Sequence, residues 1–210
     1  MHNIVVFGDS ITQGAFDGEA GGWVSRLAAH VYSKVKDSNE QATHIVFNLG
    51  ISGGTSADLR RRFVSELSER VADAARVMVI IDIGGNDALV NVHTGTHWVE
   101  PEKFKENIEF CVAHARSSGY TVCILGMGSH DESRTNPLPW DPDVALLNAE
   151  CAKYDEVLKR VSDETQSLYI PMHDVASDPK LLPDGDHPNA EGHKQIFERV
   201  KEYLEKAGVL

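Results

Sequence analysis

The stretch Ile4-Val5-Val6-Phe7-Gly8-Asp9-Ser10 decides the fold: four consecutive apolar residues end in a glycine, an acid and a serine. A run that is apolar at every position reads as a strand buried on both faces, which is the signature of a parallel sheet covered by helices. The pattern recurs. Apolar runs at Thr43–Leu49, Val77–Ile83, Thr121–Leu125 and Leu168–Ile170 alternate with amphipathic stretches near 20–36, 56–74, 101–118, 142–164 and 189–207. In the last of these Ile196, Val200 and Leu204 recur at helical spacing, with Lys and Glu between them. Five such units predict an α/β fold, a flavodoxin-like three-layer sandwich with a five-stranded parallel sheet. No repeat, low-complexity tract or linker interrupts them, so residues 1–210 read as one domain.

In such folds ligands bind beyond the carboxyl ends of the strands. The unusual residues fall there. Gly8-Asp9-Ser10 follows the first run, Gly50-Ile51-Ser52-Gly53-Gly54 the second and Gly84-Gly85-Asn86-Asp87 the third. Gly126-Met127-Gly128 follows the fourth, and Asp184-Gly185-Asp186-His187 comes shortly after the fifth. Five loops therefore converge on one edge of the expected sheet.

Composition narrows the function classes. The chain carries 32 Asp plus Glu against 20 Lys plus Arg, a net charge of −12. Affinity for nucleic acid comes from Lys and Arg displacing counterions, so this balance argues against DNA, RNA and anionic bilayers. Without a long apolar stretch or a basic amphipathic helix, no stable membrane association is expected either. Cys111, Cys123 and Cys151 form no CxxC pair, which argues against a disulfide framework or a zinc site. Cys111 and Cys123 sit in apolar contexts and read as buried thiols. The N-terminal residues run straight into the first strand with no charged and apolar leader, and a cytoplasmic location is the expectation.

Ser10 lies where a strand gives way to a helix, a place that serves equally for a nucleophile and for a helix cap. A serine nucleophile needs a base, and the base needs an orienting group. Asp184-Gly185-Asp186-His187 offers both: an Asp three residues before a His, across a glycine, can fold back onto the imidazole Nδ1. Asp186 is adjacent to the His and tends to point elsewhere, so Asp184 is the expected partner. The same residues compose a plain turn before a helix. An oxyanion formed by attack on an ester needs preorganised donors, and the backbone N–H groups of Ser10 and Gly53 and the amide of Asn86 are the candidates. Gly84-Gly85-Asn86-Asp87 also suits a tight turn.

Taken together and in this order, these blocks resemble the SGNH, or GDSL, hydrolases. Gly8-Asp9-Ser10-Ile11 is similar to the nucleophile block, with Ile11 where the family name has leucine. Asn48-Leu49-Gly50-Ile51-Ser52-Gly53-Gly54-Thr55-Ser56 is similar to the glycine block, Gly84-Gly85-Asn86-Asp87 to the asparagine block, and Asp184-Gly185-Asp186-His187-Pro188-Asn189 to the Asp-x-x-His block. The resemblance spans Gly8 to about Gly192 and is nearest to the lysophospholipase-like esterase branch. It implies ester or thioester hydrolysis without a cofactor, with Ser10, His187 and Asp184 catalytic and Ser10, Gly53 and Asn86 forming the oxyanion hole.

Asp9, Trp98 and Trp140 are the expected substrate-binding residues; Trp98 and Trp140 lie in polar loops, where a large ring lines a cleft or anchors a loop. The polar segment from Ser129 to Trp140 follows the fourth strand and is expected to overhang the site and set substrate choice. His93 and His97 have i, i+4 spacing, but Gly95 between them argues for a loop, and no metal is expected. Two other classes compete: a metal-dependent phosphoesterase using the strand-end acids and histidines, and a non-catalytic glycan- or nucleotide-binding module. A chelator separates the first and a serine-directed phosphonate the second. A soluble short-acyl ester is the expected substrate.

Overall fold

A computed structural model describes residues 2–38, 44–72 and 74–210. Strand β1 (His2–Gly8) leads into a single turn, α1 (Ser10–Gln13), and then α2 (Trp23–Ser38). β2 (His44–Gly50) precedes α3 (Ser56–Ser68), and β3 (Arg76–Asp82) precedes a two-residue β4 (Val90–Asn91) and α4 (Pro101–Ser117). β5 (Thr121–Leu125) is followed by α5 (Glu132–Thr135), β6 (Val144–Ala145) and α6 (Asn148–Thr165). β7 (Leu168–Ile170), a 3-10 turn at Pro179–Leu181 and α7 (Ala190–Lys206) complete the chain.

Five strands form one parallel sheet in the order β2-β1-β3-β5-β7, the doubly wound arrangement the sequence predicts. Because side chains alternate along a strand, β1 feeds two cores at once. Val5 and Phe7 join Val79, Ile81, Leu59, Phe63, Phe104 and Tyr154 under α3, α4 and α6. Ile4 and Val6 join Ile80, Trp23, Leu27, Ile196, Val200 and Leu204 under α2 and α7. All four β1 side chains are at most 1 % exposed. Truncating one such residue to alanine costs about 2–5 kcal/mol, so the strand that leads into the Ser10 turn is firmly anchored in both cores.

The structure departs from the sequence reading at several element ends. The helix expected over 142–164 begins only at Asn148, because Val144–Ala145 pairs antiparallel with Val90–Asn91 in a separate ribbon. The helix expected from residue 20 starts at Trp23, after Gly21 and Gly22 at positive φ. That expected over 56–74 ends at Ser68, and Thr43 lies outside the described residues. The polar stretch after β5 is not wholly loop, since it contains α5.

Candidate active site

The β1–α1 junction is tight. A Cβ on Gly8 would lie 2.0 Å from the Thr12 hydroxyl and 2.4 Å from the Asp82 carbonyl oxygen, so only glycine permits the chain to turn here. Asp9, not Ser10, caps the short helix: its carboxylate accepts from the Ile11 N–H at 3.0 Å. That leaves the Ser10 hydroxyl uncommitted to the cap, and its Oγ lies 2.8 Å from His187 Nε2. Asp9 is itself buried, and burial together with the nearby Asp82 carboxyl raises its pKa well above the usual carboxylate range.

His187 is held by its own loop. Asp184 Oδ1 accepts from the backbone N–H groups of Asp186 at 3.0 Å and His187 at 2.8 Å, while Oδ2 accepts from His187 Nδ1 at 2.6 Å. This fixes the tautomer: Nδ1 carries the proton and Nε2 is left to accept from Ser10. Burial holds the Asp184 pKa up, but the His187 ring and backbone donors outweigh it and bring the carboxyl down to about 2. Burial likewise opposes the charged form of His187. The hydrogen bond to Asp184, with Asp186 and Asp9 nearby, wins and raises its pKa above the ordinary 6.5. Asp186 lies 3.8 Å from Nδ1 and turns instead to His130, whose Nδ1 is 3.2 Å away. The segment after β5 pins this loop: the Asp131 N–H donates to the Gly185 carbonyl at 2.9 Å, and Arg134 donates to the Pro183 carbonyl at 2.8 Å.

The other two strand-end loops meet the same cleft. Gly53 has φ +73°, a conformation suited to glycine, and no atom lies within 4 Å of where its Cβ would be. Among the described residues no hydrogen bond engages the backbone N–H of Ser10 or Gly53. Asn86 donates one amide hydrogen to the Gly54 carbonyl at 3.0 Å, which ties the two loops and leaves its second hydrogen for a ligand. Behind them the Asp87 carboxylate is fully buried and accepts from the Ser56 N–H at 3.0 Å. Burial pushes its pKa up to about 6 despite those donors.

Ser10, Gly53, Asn86, His187, Asp9, Trp98 and Trp140 all line one cavity of about 320 Å³. Trp98 and Trp140 are 53 % and 58 % exposed, so they stand at its rim rather than anchoring loops; the anchoring indole is the buried Trp23, bonded to Asp82 at 3.2 Å. The polar loops expected around the site supply only part of this cavity's wall. The floor is apolar, built from Ile83, Leu89, Met127 and Leu146 on one side and Met172, Val175 and Ile196 on the other. Sequence reasoning missed this floor because its members come from separate elements. It also missed the partnership of His130 with Asp186 and the stacking of Phe16 on His187, which no spacing announces.

His93 and His97 do not converge; they pair with Asp143 and Glu150, each at 2.9 Å. Among the described residues no group of three or more His, Cys, Asp or Glu is placed to hold a metal ion. Cys111, Cys123 and Cys151 are free and buried. No described helix is long and apolar enough to cross a membrane.

A hydroxyl bonded to a neutral imidazole, itself oriented by a carboxylate, can lose its proton as it attacks an electrophilic carbon. Several known proteins are similar to this chain. The model of the GDSL-like lipase/acylhydrolase family matches residues 6–195. Esterase TesA of Pseudomonas aeruginosa is 28% identical over 124 residues, covering 59% of this chain and 53% of its own. The uncharacterized lipoprotein YqeF of Bacillus subtilis is 24% identical over 95% of this chain and 88% of its own. The crystal structure of TesA superposes with a TM-score of 0.70 at 24% identity, covering 97% of this chain and 98% of the other, which shows a shared fold. The chain belongs to the GDSL-like lipase/acylhydrolase family and is a carboxylic ester hydrolase.

Proposed function

We propose that the protein is a serine esterase for small carboxylic esters or thioesters, working as one domain over residues 1–210 with Ser10, His187 and Asp184 as its catalytic triad. The carrying observation is the pair of contacts on one imidazole, 2.8 Å from Nε2 to Ser10 Oγ and 2.6 Å from Nδ1 to Asp184. Ser10 attacks the acyl carbon while His187 takes its proton, and Asp184 stabilises the imidazolium. The oxyanion accepts from the N–H groups of Ser10 and Gly53 and the free hydrogen of Asn86. His187 then protonates the departing alcohol or thiol, and water enters by the same route to release the acid.

Asp9, Trp98 and Trp140 flank the substrate, with the two indoles at the mouth. A cavity of about 320 Å³ is at the small end for ligand pockets, which supports short acyl groups over long lipid chains. Each methylene accepted by an apolar wall adds up to about 0.8 kcal/mol. The test is kcat/KM for nitrophenyl esters from two to about twelve carbons. A maximum among the shortest chains is expected, and a maximum at the longest refutes the short-acyl reading. Three buried free thiols agree with a reducing cytoplasm, and cell fractionation tests that placement against the similarity to YqeF, which is named a lipoprotein.

A further inference from the structure

Phe16 is the feature the proposed chemistry leaves unused. Its φ is +65°, in the left-handed region that a bulky side chain rarely enters, and the residue is 54 % exposed. Neither local preference nor burial explains this placement. The ring lies parallel to the His187 imidazole, with centroids 5.0 Å apart and an interplanar angle of 11°.

The neighbouring residues hold it there. On one side the Ala15 carbonyl accepts from His193 Nε2 of α7 at 2.8 Å. On the other, the buried Asp17 carboxylate accepts from the N–H groups of Glu19, Ala20 and Gly22, each at 3.0 Å, and pairs with Arg26 of α2 at 3.0 Å. Strained residues persist when their surroundings over-determine them, and the strain is then an indication of use. Here both flanks are tied to the two helices on one face of the sheet, and what they deliver is one aromatic ring against one imidazole.

We propose that Phe16 is a positioning residue for the base, its ring fixing the plane of the His187 imidazole so that Nε2 stays aligned on Ser10. The proposal rests on the reading of His187 as the base. Asp184 at Nδ1 and Ser10 at Nε2 hold the ring by two contacts on nearly opposite edges, which leaves the imidazole free to rotate about the line joining them; a parallel ring removes this freedom. Small displacements of a catalytic group are costly, so the effect belongs to the chemical step and not to binding.

The test compares Phe16→Gly, Phe16→Leu and Phe16→Tyr in nitrophenyl acetate hydrolysis and in thermal unfolding, with His187→Ala run beside them. Glycine adopts φ +65° freely, so Phe16→Gly is expected to keep its Tm within about 2 °C while kcat falls roughly three- to tenfold, the range that the stacking of an aromatic pair converts to. KM is expected to stay within about twofold. Phe16→Tyr is expected to retain kcat, and Phe16→Leu, apolar but without a π face, to lose it. Phe16→Gly with undiminished kcat, Phe16→Leu as active as Phe16→Tyr, or a loss of kcat matched by a large fall in Tm each overturns the proposal. Activity surviving in His187→Ala overturns the reading of the base and this proposal together. Activity lost there but unchanged across the Phe16 series overturns this proposal alone.

Discussion

Replacing Asp184 by asparagine changes one atom of the site and inverts its chemistry. The asparagine carbonyl can still accept from the N–H groups of Asp186 and His187, which now bond to Oδ1 at 3.0 and 2.8 Å, so the loop keeps its shape. The group that replaces Oδ2, 2.6 Å from Nδ1, is then an N–H donor. Two donors cannot face each other, so the imidazole proton moves to Nε2, which must now donate to Ser10 where it should accept. A base in the wrong tautomer costs on the order of 10³–10⁴ in kcat, or about 4–5.5 kcal/mol of transition-state stabilisation. Asp186→Asn is the matched control: at 3.8 Å from Nδ1 and paired with His130, its carboxylate does not set the tautomer, and a loss within about tenfold is expected. The assay is steady-state hydrolysis of nitrophenyl acetate between about pH 5 and 9, with circular dichroism to confirm folding. A folded Asp184→Asn within tenfold of wild type, or an Asp186→Asn loss as large as that of Asp184→Asn, refutes the assignment.

Three further outcomes follow from the same geometry. Because His187 must be neutral to accept the Ser10 proton and its pKa is raised, kcat/KM should climb with pH through an ionisation above 6.5; a profile flat from about pH 5 to 8 contradicts a histidine base. Asn86→Ala should lower kcat by roughly 10²–10³-fold with KM little changed, since its free amide hydrogen matters most in the transition state; a raised KM at constant kcat makes it a substrate-binding residue. Asp87 has a folded pKa of about 6 against 3.8 in its ordinary state, so the folded protein binds the extra proton and the carboxyl's contribution to stability falls as pH rises from about 4 to 6. That swing is worth about 3 kcal/mol, so the Tm of Asp87→Asn relative to wild type should improve by about 5–10 °C across the window, and a pH-independent difference rules out the buried carboxyl as its source.

Much of this architecture can be read from local patterns, and what cannot be read has identifiable reasons. Ile4–Phe7 is apolar on both faces because it feeds both cores, and that alone implies helices above and below the sheet. Four of the five strand ends, those of β1, β2, β3 and β7, then bring Ser10, Gly53, Asn86, Asp184 and His187 to one edge, and the structure sets Ser10, Gly53, Asn86 and His187 around one cavity, with Asp184 behind the imidazole. The Val90–Asn91 and Val144–Ala145 ribbon escapes notice because two residues carry no period, and helical spacing further along absorbs the second of them. The apolar floor is built from residues far apart in the chain, such as Leu89, Leu146 and Ile196, whose meeting is a tertiary event. Phe16 is hidden for another reason: composition reports a glycine's freedom to reach positive φ, but not a phenylalanine forced there by its neighbours.

The central claim is that the Ser10 hydroxyl is an activated nucleophile. An alkyl fluorophosphonate tests it directly, because a serine that is merely a helix residue does not displace fluoride. Labelling followed by peptide mass spectrometry should place one phosphonate per chain on Ser10, with none on Ser10→Ala and very little on His187→Ala. A label on another residue, or ester turnover that persists undiminished in the Ser10→Ala protein, contradicts the account.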